Sequence, residues 1–298
     1  MKKTASILLT FIMLFSVAYS APDLDAAVEK SVQYINSAVP SPNVSSIGGE
    51  WAVTALARSG AENQQEFFGK YYDNLVKKLT EKNGVLHDRK YTEYSRVILA
   101  VTAIGKNAEN VSGYNLITPL CGFDNTVWQG INGAIWALIA LDSGNYISEN
   151  TEIRGKYIEK IISEQNPDGG WSLSDTGASD TDLTAMALTA LAKYKNDEKI
   201  STAVNSAVEF LSNSQNENGG FSTYGTETSE SVSQVIIALC ALKIPQNDAR
   251  FVKNGKTPYD NLMTYYDGNG GFYHDTDKSG SNQMASEQAF CALVSLKR

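Results

Sequence analysis

The segment Ser163–Trp171, SEQNPDGGW, is followed fifty residues later by NSQNENGGF at Asn213–Phe221. Both copies place a Gln, a Gly-Gly pair and an aromatic residue at the same spacing. The glycines permit a tight turn, and Gln165 and Gln215 lie where an amide can bond the free ends of neighbouring helices. We therefore interpret the phrase as scaffolding. The aromatic residues expected to pack between repeats are Trp171, Phe221 and, in a looser third copy, Phe272.

A second pattern, Ala-Leu-x-x-Leu and its looser variants, marks six helices that are apolar on nearly every side, which is typical of buried helices. They end at Leu56, Ile104, Leu141, Leu191, Leu242 and Leu296. Amphipathic helices alternate with them. We predict these over 23–38, 64–81, 152–164, 202–213 and 257–266. The outer element before Trp128 is short and broken by Pro119.

Alternation of outer and inner helices at this period indicates a repeat architecture. An open array would need polar caps at its ends, yet the last apolar helix runs almost to the final residue of the sequence. Closure into a ring removes that requirement. The sequence predicts an all-α fold, an α/α toroid (α6/α6 barrel) of six helical hairpins, as a single domain over 21–298.

The beginning of the sequence has the form of a secretory signal peptide. Lys2 and Lys3 precede an apolar stretch from Ile7 to Ala18, followed by small residues. This pattern predicts a signal peptide over residues 1–20. The stretch is shorter than the roughly 20 residues that span a bilayer, so we expect a secreted, extracellular or cell-surface protein with no transmembrane segment.

Net charge and cysteine content limit the classes of partner and the kinds of covalent cross-link that the protein can have. The formal net charge is −8 and no basic cluster is present, which argues against nucleic acid as a partner. Cys121, Cys240 and Cys291 stand singly in apolar surroundings, which favours buried free thiols, with a Cys240–Cys291 bridge as the alternative. No cofactor is expected.

In a closed barrel the inner helices run parallel, so their N-termini meet at one mouth. Acidic and hydroxyl residues at helix starts often serve as caps. Arg96 is unfavourable there, however, and aromatic residues add ligand-contacting surface. The candidate ligand-binding residues at this mouth are Glu50, Trp51, Tyr91, Glu93, Tyr94, Arg96, Trp128, Gln129, Asn132, Thr184, Glu230, Ser233, Gln234, Glu287 and Gln288.

The segment YIEKIISEQNPDGGW resembles the QW repeat of squalene and hopene cyclases. The predicted barrel resembles the α/α toroid that these cyclases share with protein prenyltransferase β subunits and the helical domain of cobalamin carriers. GGEWAVTALARSG and DTDLTAMALTAL resemble exported bacterial prenyltransferase and squalene oxidase repeat proteins, and this resemblance covers essentially the whole mature chain. It implies an apolar or polycyclic small-molecule partner, isoprenoid-like or corrinoid-like, and a second domain or subunit that closes the cavity.

The run from Asp180 to Ala185, DTDLTA, resembles the D-x-D-D-T-A acid motif of class II terpene cyclases. The resemblance gives Asp182 the role of general acid, with Asp180 beside it as a second candidate catalytic residue. Leu183 replaces the third Asp of the motif. Those cyclases also enclose their substrate between two barrels, and this chain has room for one.

No metal site is predicted. A prenyltransferase zinc site would need a His on the last inner helix, where this sequence has Glu287 and Gln288. The segment beginning at Asp275, DTDKSGSNQMASE, nearly matches a calcium loop, but its Glu falls one position late, at Glu287.

We therefore expect a binding module that holds a large, mainly apolar or polycyclic small molecule, or a partner domain, at the mouth of the barrel. A class II terpene cyclase-like enzyme that uses Asp182 is the alternative. A carbohydrate-active enzyme of the α6/α6 type, with Asp182 and Glu287 as acid and base, is a third hypothesis.

Overall fold

The computed structural model describes residues 22–173 and 177–298, so the predicted signal peptide lies outside the described residues. The α-helices of the described chain are α1 (Leu24–Ala38), α2 (Trp51–Ser59), α3 (Gln65–Glu81), α4 (Thr92–Ala103), α5 (Phe123–Thr126), α6 (Ile131–Ser143), α7 (Ile153–Ser163), α8 (Thr181–Leu191), α9 (Glu198–Ser214), α10 (Ser229–Leu242), α11 (Pro258–Leu262) and α12 (Gln283–Lys297). Short 3₁₀ turns span Thr118–Cys121, Val127–Gln129, Ala192–Tyr194, Ala249–Phe251 and Met263–Tyr265. An irregular turn, Ser46–Glu50, precedes α2.

Two small antiparallel hairpins lie before inner helices. Strands β1 (Ser222–Thr223) and β2 (Thr226–Glu227) pair Ser222 with Glu227. Strands β3 (Phe272–Tyr273) and β4 (Ser281–Asn282) pair Phe272 with Asn282. Each hairpin is followed directly by an inner helix with a side-chain N-cap. Thr228 caps α10 and Asn282 caps α12.

The even-numbered helices form a closed inner ring. Each packs on the next in the order α2, α4, α6, α8, α10, α12, and α12 packs on α2. Fully buried alanines such as Ala134, Ala137 and Ala187 keep these helices close together. The odd-numbered helices lie outside, and the longer ones, α1, α3, α7 and α9, bury apolar residues along one face. The predicted α/α toroid is confirmed.

The repeated Gln-Gly-Gly-aromatic phrase links neighbouring hairpins. Gln165 Nε2 donates to the carbonyls of Gly169 and Ala203, both at 2.8 Å. Gln215 Nε2 donates to the carbonyls of Gly219 and Phe251, both at 3.0 Å. Trp171, Phe221 and Phe272 are fully buried. The interpretation of the phrase as scaffolding is confirmed.

The glycines of this phrase let each turn contact the next outer helix. Gly169, Gly219 and Gly270 have positive φ, and a Cβ on any of them would collide with backbone of the following outer segment. For Gly270 that backbone is Lys30 in α1, at the other end of the chain. The last repeat therefore packs against the first and closes the ring.

Three of the predicted outer elements have different bounds in the structure. The predicted helix over 202–213 begins earlier, at Glu198, because the Asp197 side chain caps the N–H groups of Lys199 and Ile200. The predicted helix over 257–266 is shorter: α11 ends at Leu262 and continues as a 3₁₀ turn. The weak element before Trp128 is the four-residue α5 with flanking 3₁₀ turns.

The cysteines are free, so the alternative of a Cys240–Cys291 bridge is wrong. All three are half-buried, since each lies at an edge of the core rather than within it. Among the described residues, no helix is both long and apolar enough to cross a membrane.

Candidate functional site

The axis of the barrel contains a cavity of about 700 Å³ to which all six inner helices contribute. Its wall is mainly aromatic and aliphatic, with threonine, serine and glutamine side chains between. The apolar lining includes Trp51, Leu99, Trp136, Ile139, Met186 and Ile237. Size and lining are those of a small-molecule pocket.

This cavity occupies the C-terminal half of the barrel. On α6, α8, α10 and α12 the lining begins more than one turn after the helix start and continues to the last turn. The rim carries Arg58, Asp142, Lys193 and Arg298. The cavity is thus at the opposite end from the mouth expected from the sequence. Of the predicted ligand-binding residues, the ones that line it are Trp51, Gln234 and Gln288.

Two side-chain pairs form the inner end of the cavity. The rings of Trp51 and Trp136, from helices on either side of α4, lie 5.2 Å apart between centroids at an angle of 57°. Gln234 Nε2 donates to Gln288 Oε1 at 3.0 Å. Both pairs join inner helices within the lumen, so a ligand entering from the rim would end against an aromatic and amide layer.

Polar residues lie one helical turn further towards the N-terminal end. Side chains three or four positions apart share a face of a helix. Asp182 therefore lies on the face of Met186, Asn132 on that of Trp136, and Glu230 on that of Gln234. The lumen is polar at the N-terminal end and mainly apolar beyond the tryptophan layer.

Asp180 and Asp182 have different environments. Asp180 is the N-cap of α8, and its Oδ1 accepts from the Leu183 N–H at 2.8 Å. Asp182 accepts a hydrogen bond from the Thr223 hydroxyl at 2.8 Å. Burial raises the pKa of Asp182 to about 6, and the hydroxyls of Ser231 and Thr223 oppose the rise. Asp180 is therefore explained as a helix cap, whereas Asp182 is a carboxyl that is half protonated near pH 6.

Glu50 belongs to a buried cluster between α3 and α4. Its carboxylate accepts from the Tyr71 hydroxyl at 3.2 Å and lies 3.5 Å from Arg96 Nε. Arg96 also pairs with Glu93 at 3.2 Å. Burial raises the pKa of Glu50 to about 7, although the charge of Arg96 lowers it. Arg96 is therefore stabilised near the start of α4 by its ion pairs with Glu50 and Glu93.

Glu287 holds the turn that precedes α2. Its Oε1 accepts from the Gly48 N–H at 2.8 Å and from Gln283 Nε2 at 3.0 Å. Burial raises its pKa to about 7. Glu287 and Asp182 share no hydrogen-bond partner in the described chain, so the carbohydrate-active hypothesis gains no support from their contacts.

Three predicted site residues are packed between elements, so their assignment to an open mouth needs correction. The Tyr94 hydroxyl accepts from the Leu86 N–H, Thr184 Oγ1 accepts from the Trp171 N–H, and the Ser233 hydroxyl donates to the Ser229 carbonyl. All three side chains are buried. Hydroxyls at helix starts thus satisfy local backbone.

The remaining predicted residues lie around the N-terminal end of the barrel. Trp128 is 62% exposed, and the Arg89 guanidinium lies 5.1 Å from its ring centroid. The Tyr91 ring lies 5.6 Å from that of Tyr94. Thr92 Oγ1 donates to Gln129 Oε1 at 3.4 Å, and His274 Nδ1 lies 2.9 Å from Glu230 Oε1.

Much of the cavity lining is absent from the set of residues predicted from the sequence. Trp136, Ile139, Met186 and Ile237 lie on inner helices that are apolar all round, so their composition does not distinguish lumen from packing. A face of an inner helix that changes from apolar to polar residues towards the C-terminus is a sequence signal for residues that line the lumen. Met186, Thr189 and Lys193 on one face of α8 and its extension are an example.

Comparison with known proteins agrees with this architecture. Residues 123–298 match the family model described as the prenyltransferase alpha-alpha toroid domain. Comparison with curated proteins gave no match. Several solved structures are similar in fold.

The type II terpene cyclase MstE from Scytonema, in complex with geranylgeranyl dihydroxybenzoate, has a TM-score of 0.62 at 13% identity, over 92% of this chain and 97% of that chain. Candida albicans protein geranylgeranyltransferase-I complexed with GGPP has a TM-score of 0.60 at 13% identity, over 89% and 90%. The ent-copalyl diphosphate synthase from Streptomyces platensis has a TM-score of 0.55 at 20% identity, over 83% of this chain and 49% of that chain. This chain thus spans about half of that synthase. At these identities the likeness shows the fold.

Proposed function

This chain belongs to the prenyltransferase α/α-toroid family, and from that premise we propose that its barrel binds a large, mainly apolar small molecule in the lumen. The observation that carries the proposal is the cavity of about 700 Å³ enclosed by the six inner helices. The cavity is lined by Trp51, Trp136 and aliphatic side chains. Displacement of water from such a lining by an apolar ligand is favourable in free energy.

The chemistry of similar structures supports an isoprenoid-like ligand. The MstE complex contains geranylgeranyl dihydroxybenzoate and the Candida transferase complex contains GGPP. Both ligands carry a geranylgeranyl group, and both proteins are similar to this chain in fold. We therefore favour an isoprenoid-like ligand over a corrinoid-like one.

A space-filling substitution in the lumen tests this function. Ile139→Trp is expected to weaken binding of geranylgeraniol at least about tenfold, because an indole there occupies the space of the ligand. The matched control is Ile147→Trp, since Ile147 is 85% exposed and outside the cavity. Binding is measured by isothermal titration calorimetry, and native mass spectrometry of protein from its source tests for a retained ligand. Absence of both binding and a retained molecule would refute the proposal.

Export and a closing partner also belong to the proposal. The pattern of residues 1–20 supports secretion, and the mass of the mature protein tests it, since removal of the signal leaves a chain that begins at Ala21. Exposed residues around the rim, including Arg58 and Lys193, give a second domain or subunit a surface on which to close the cavity.

A terpene cyclase-like activity is the second candidate. The observation that favours it is Asp182, a half-buried carboxyl on the lumen side of α8 whose pKa is raised to about 6. Such an acid can hold a proton and give it to an alkene. Because MstE is matched over 97% of its length, a chain of one barrel is long enough for a type II terpene cyclase.

The test of this candidate is turnover of polyprenyl substrates. Cyclised product that disappears in Asp182→Asn would establish Asp182 as the acid. Asp124→Asn, at an exposed position in α5, is the matched control and should retain activity. If the wild type forms no product while geranylgeraniol binds, the protein is a binding module alone.

A further inference from the structure

The N-terminal face of the barrel is the end at which loops lead into the inner helices. Among the described residues, six large apolar side chains are exposed, and five of them lie in these loops. They precede α2, α4, α6, α8 and α10 in turn, as Ile47, Val85, Trp128, Leu173 and Tyr224. Single exposed apolar residues are ordinary on a protein surface. One in each of five successive loops at the same end of the ring indicates a surface that another molecule covers.

Two aromatic side chains are the most exposed residues of this face. Trp128 is 62% exposed, and the Arg89 guanidinium lies 5.1 Å from its ring centroid. Tyr224 is 81% exposed in the turn between β1 and β2. Trp, Tyr and Arg are enriched among the residues that contribute most to protein–protein binding. The composition of the face therefore favours a protein as its partner.

The charges of the N-terminal face are segregated between two loops. The loop before α4, residues 82–91, carries three cations and one acid, whereas the loop before α12, residues 267–282, carries three acids and one cation. Lys90 and Asp277 are exposed representatives of the two loops. Within the part of the chain that the structure describes, neither of them forms an ion pair. Each loop can therefore attract a loop of opposite charge on a partner.

The order of the inner helices makes this face complementary to itself. Two copies can meet face to face about a twofold axis that lies in the plane between them. If that axis passes over α2 and α8, the loop before α4 meets the partner's loop before α12, and the loop before α6 meets the partner's loop before α10. The basic loop then opposes the acidic loop twice. In the same arrangement Trp128 opposes the partner's Tyr224, and Ile47 lies close to its own copy.

We propose that the N-terminal face binds a second copy of this chain in an isologous, face-to-face dimer. With helices about 10 Å wide, an end face of two concentric rings covers roughly 1,200 Å², and a stable interface needs about 800 Å² per partner. The aromatic pairs supply apolar contact, and the two charged loops fix the orientation. This face is at the opposite end of the barrel from the cavity rim, so the dimer is independent of ligand binding in the lumen.

The first test measures the mass of the protein in solution by sedimentation velocity. The wild type should sediment as a dimer at about 100 μM. Trp128→Asp should weaken dimerisation at least about tenfold, because a carboxylate replaces an exposed apolar contact at the interface. Ile147→Asp is the matched control and should leave the dimer intact, since Ile147 is equally exposed but follows α6 at the other end of the barrel.

The second test exchanges the charges of the two loops. Lys90→Glu places like charges against each other at both copies of the contact, and Asp277→Lys does the same. Each variant alone should dimerise at least about tenfold more weakly than the wild type. In an equimolar mixture, one chain of each variant restores opposite charges at both contacts, so the dimer should reappear.

Each result decides for or against the dimer. A monomeric wild type at about 100 μM overturns the proposal. A dimer that persists in Trp128→Asp shows that the copies meet through another surface, which also overturns it. Failure of the mixture to recover the dimer overturns the pairing of the two charged loops and with it the proposed arrangement. Circular dichroism of each variant, compared with the wild type, separates loss of the interface from loss of the fold.

Discussion

Glu287 differs from a surface acid because its carboxyl is fully buried. Burial raises its pKa to about 7 from an ordinary value of 4.5. The folded protein thus retains a proton that the unfolded chain releases at lower pH. Its contribution to stability is fully present below pH 4.5 and is lost as the pH rises through 7.

Substitution of Glu287 by Gln should remove this pH dependence. Gln keeps an oxygen acceptor for the Gly48 N–H and has no proton to lose. We expect the variant to be on the order of 3 kcal/mol more stable than the wild type at pH 8, and about equal at pH 4, in urea denaturation. Glu29→Gln, on the exposed face of α1, should follow the wild type. A variant with an unchanged pH profile would show that Glu287 is ionised in the fold.

The roles of single residues were the least predictable part of the site. Asp180 and Asp182 both lie at the start of an apolar helix, and both suit a cap by composition. The extended backbone of Asp180 makes it the N-cap, which directs Asp182 towards Thr223 of the next hairpin. That partner is 41 residues away, so no local pattern indicates it.

At the scale of elements, the glycine turns set how closely hairpins pack. Gly270→Ala should destabilise the protein by about 2–4 kcal/mol, since Ala is strained at positive φ and its Cβ collides with the Lys30 backbone. Gly268→Ala is the matched control, because Gly268 has φ +85° and nothing near its Cβ position. It should cost about 1–2 kcal/mol. Urea denaturation measures both, and equal losses would mean that the contact with α1 contributes nothing.

Helix identity was predictable because apolar periodicity separates inner from outer helices. The boundaries of the helices were less predictable from the sequence. The start of α9 depends on the Asp197 cap, which lies outside the periodic stretch. In the third copy of the phrase, Tyr266 occupies the place of Gln165 and Gln215, and its ring packs 5.2 Å from Phe272. Packing thus substitutes for the amide, and the copy is harder to detect.

At the scale of the molecule, ring closure followed from the apolar character of the last helix. The position of the cavity along the barrel axis could not be predicted in the same way. It depends on which side chains meet across the ring, and Trp51 and Trp136 lie 85 residues apart. Their contact fills the middle of the barrel, while small residues such as Ala103 and Ala241 leave space towards the rim.

Because the ring is closed, the first hairpin has a neighbouring hairpin on each side, like every other hairpin. Lys297 pairs with Asp25 at 2.7 Å, and the Tyr259 hydroxyl donates to the Pro22 carbonyl at 2.6 Å. Residues from opposite ends of the described chain are therefore neighbours across the same seam that Gly270 and α1 form. A circularly permuted chain, joined there and opened between two other hairpins, would encode the same barrel. The order in which the hairpins are synthesised is thus separable from the order in which they pack.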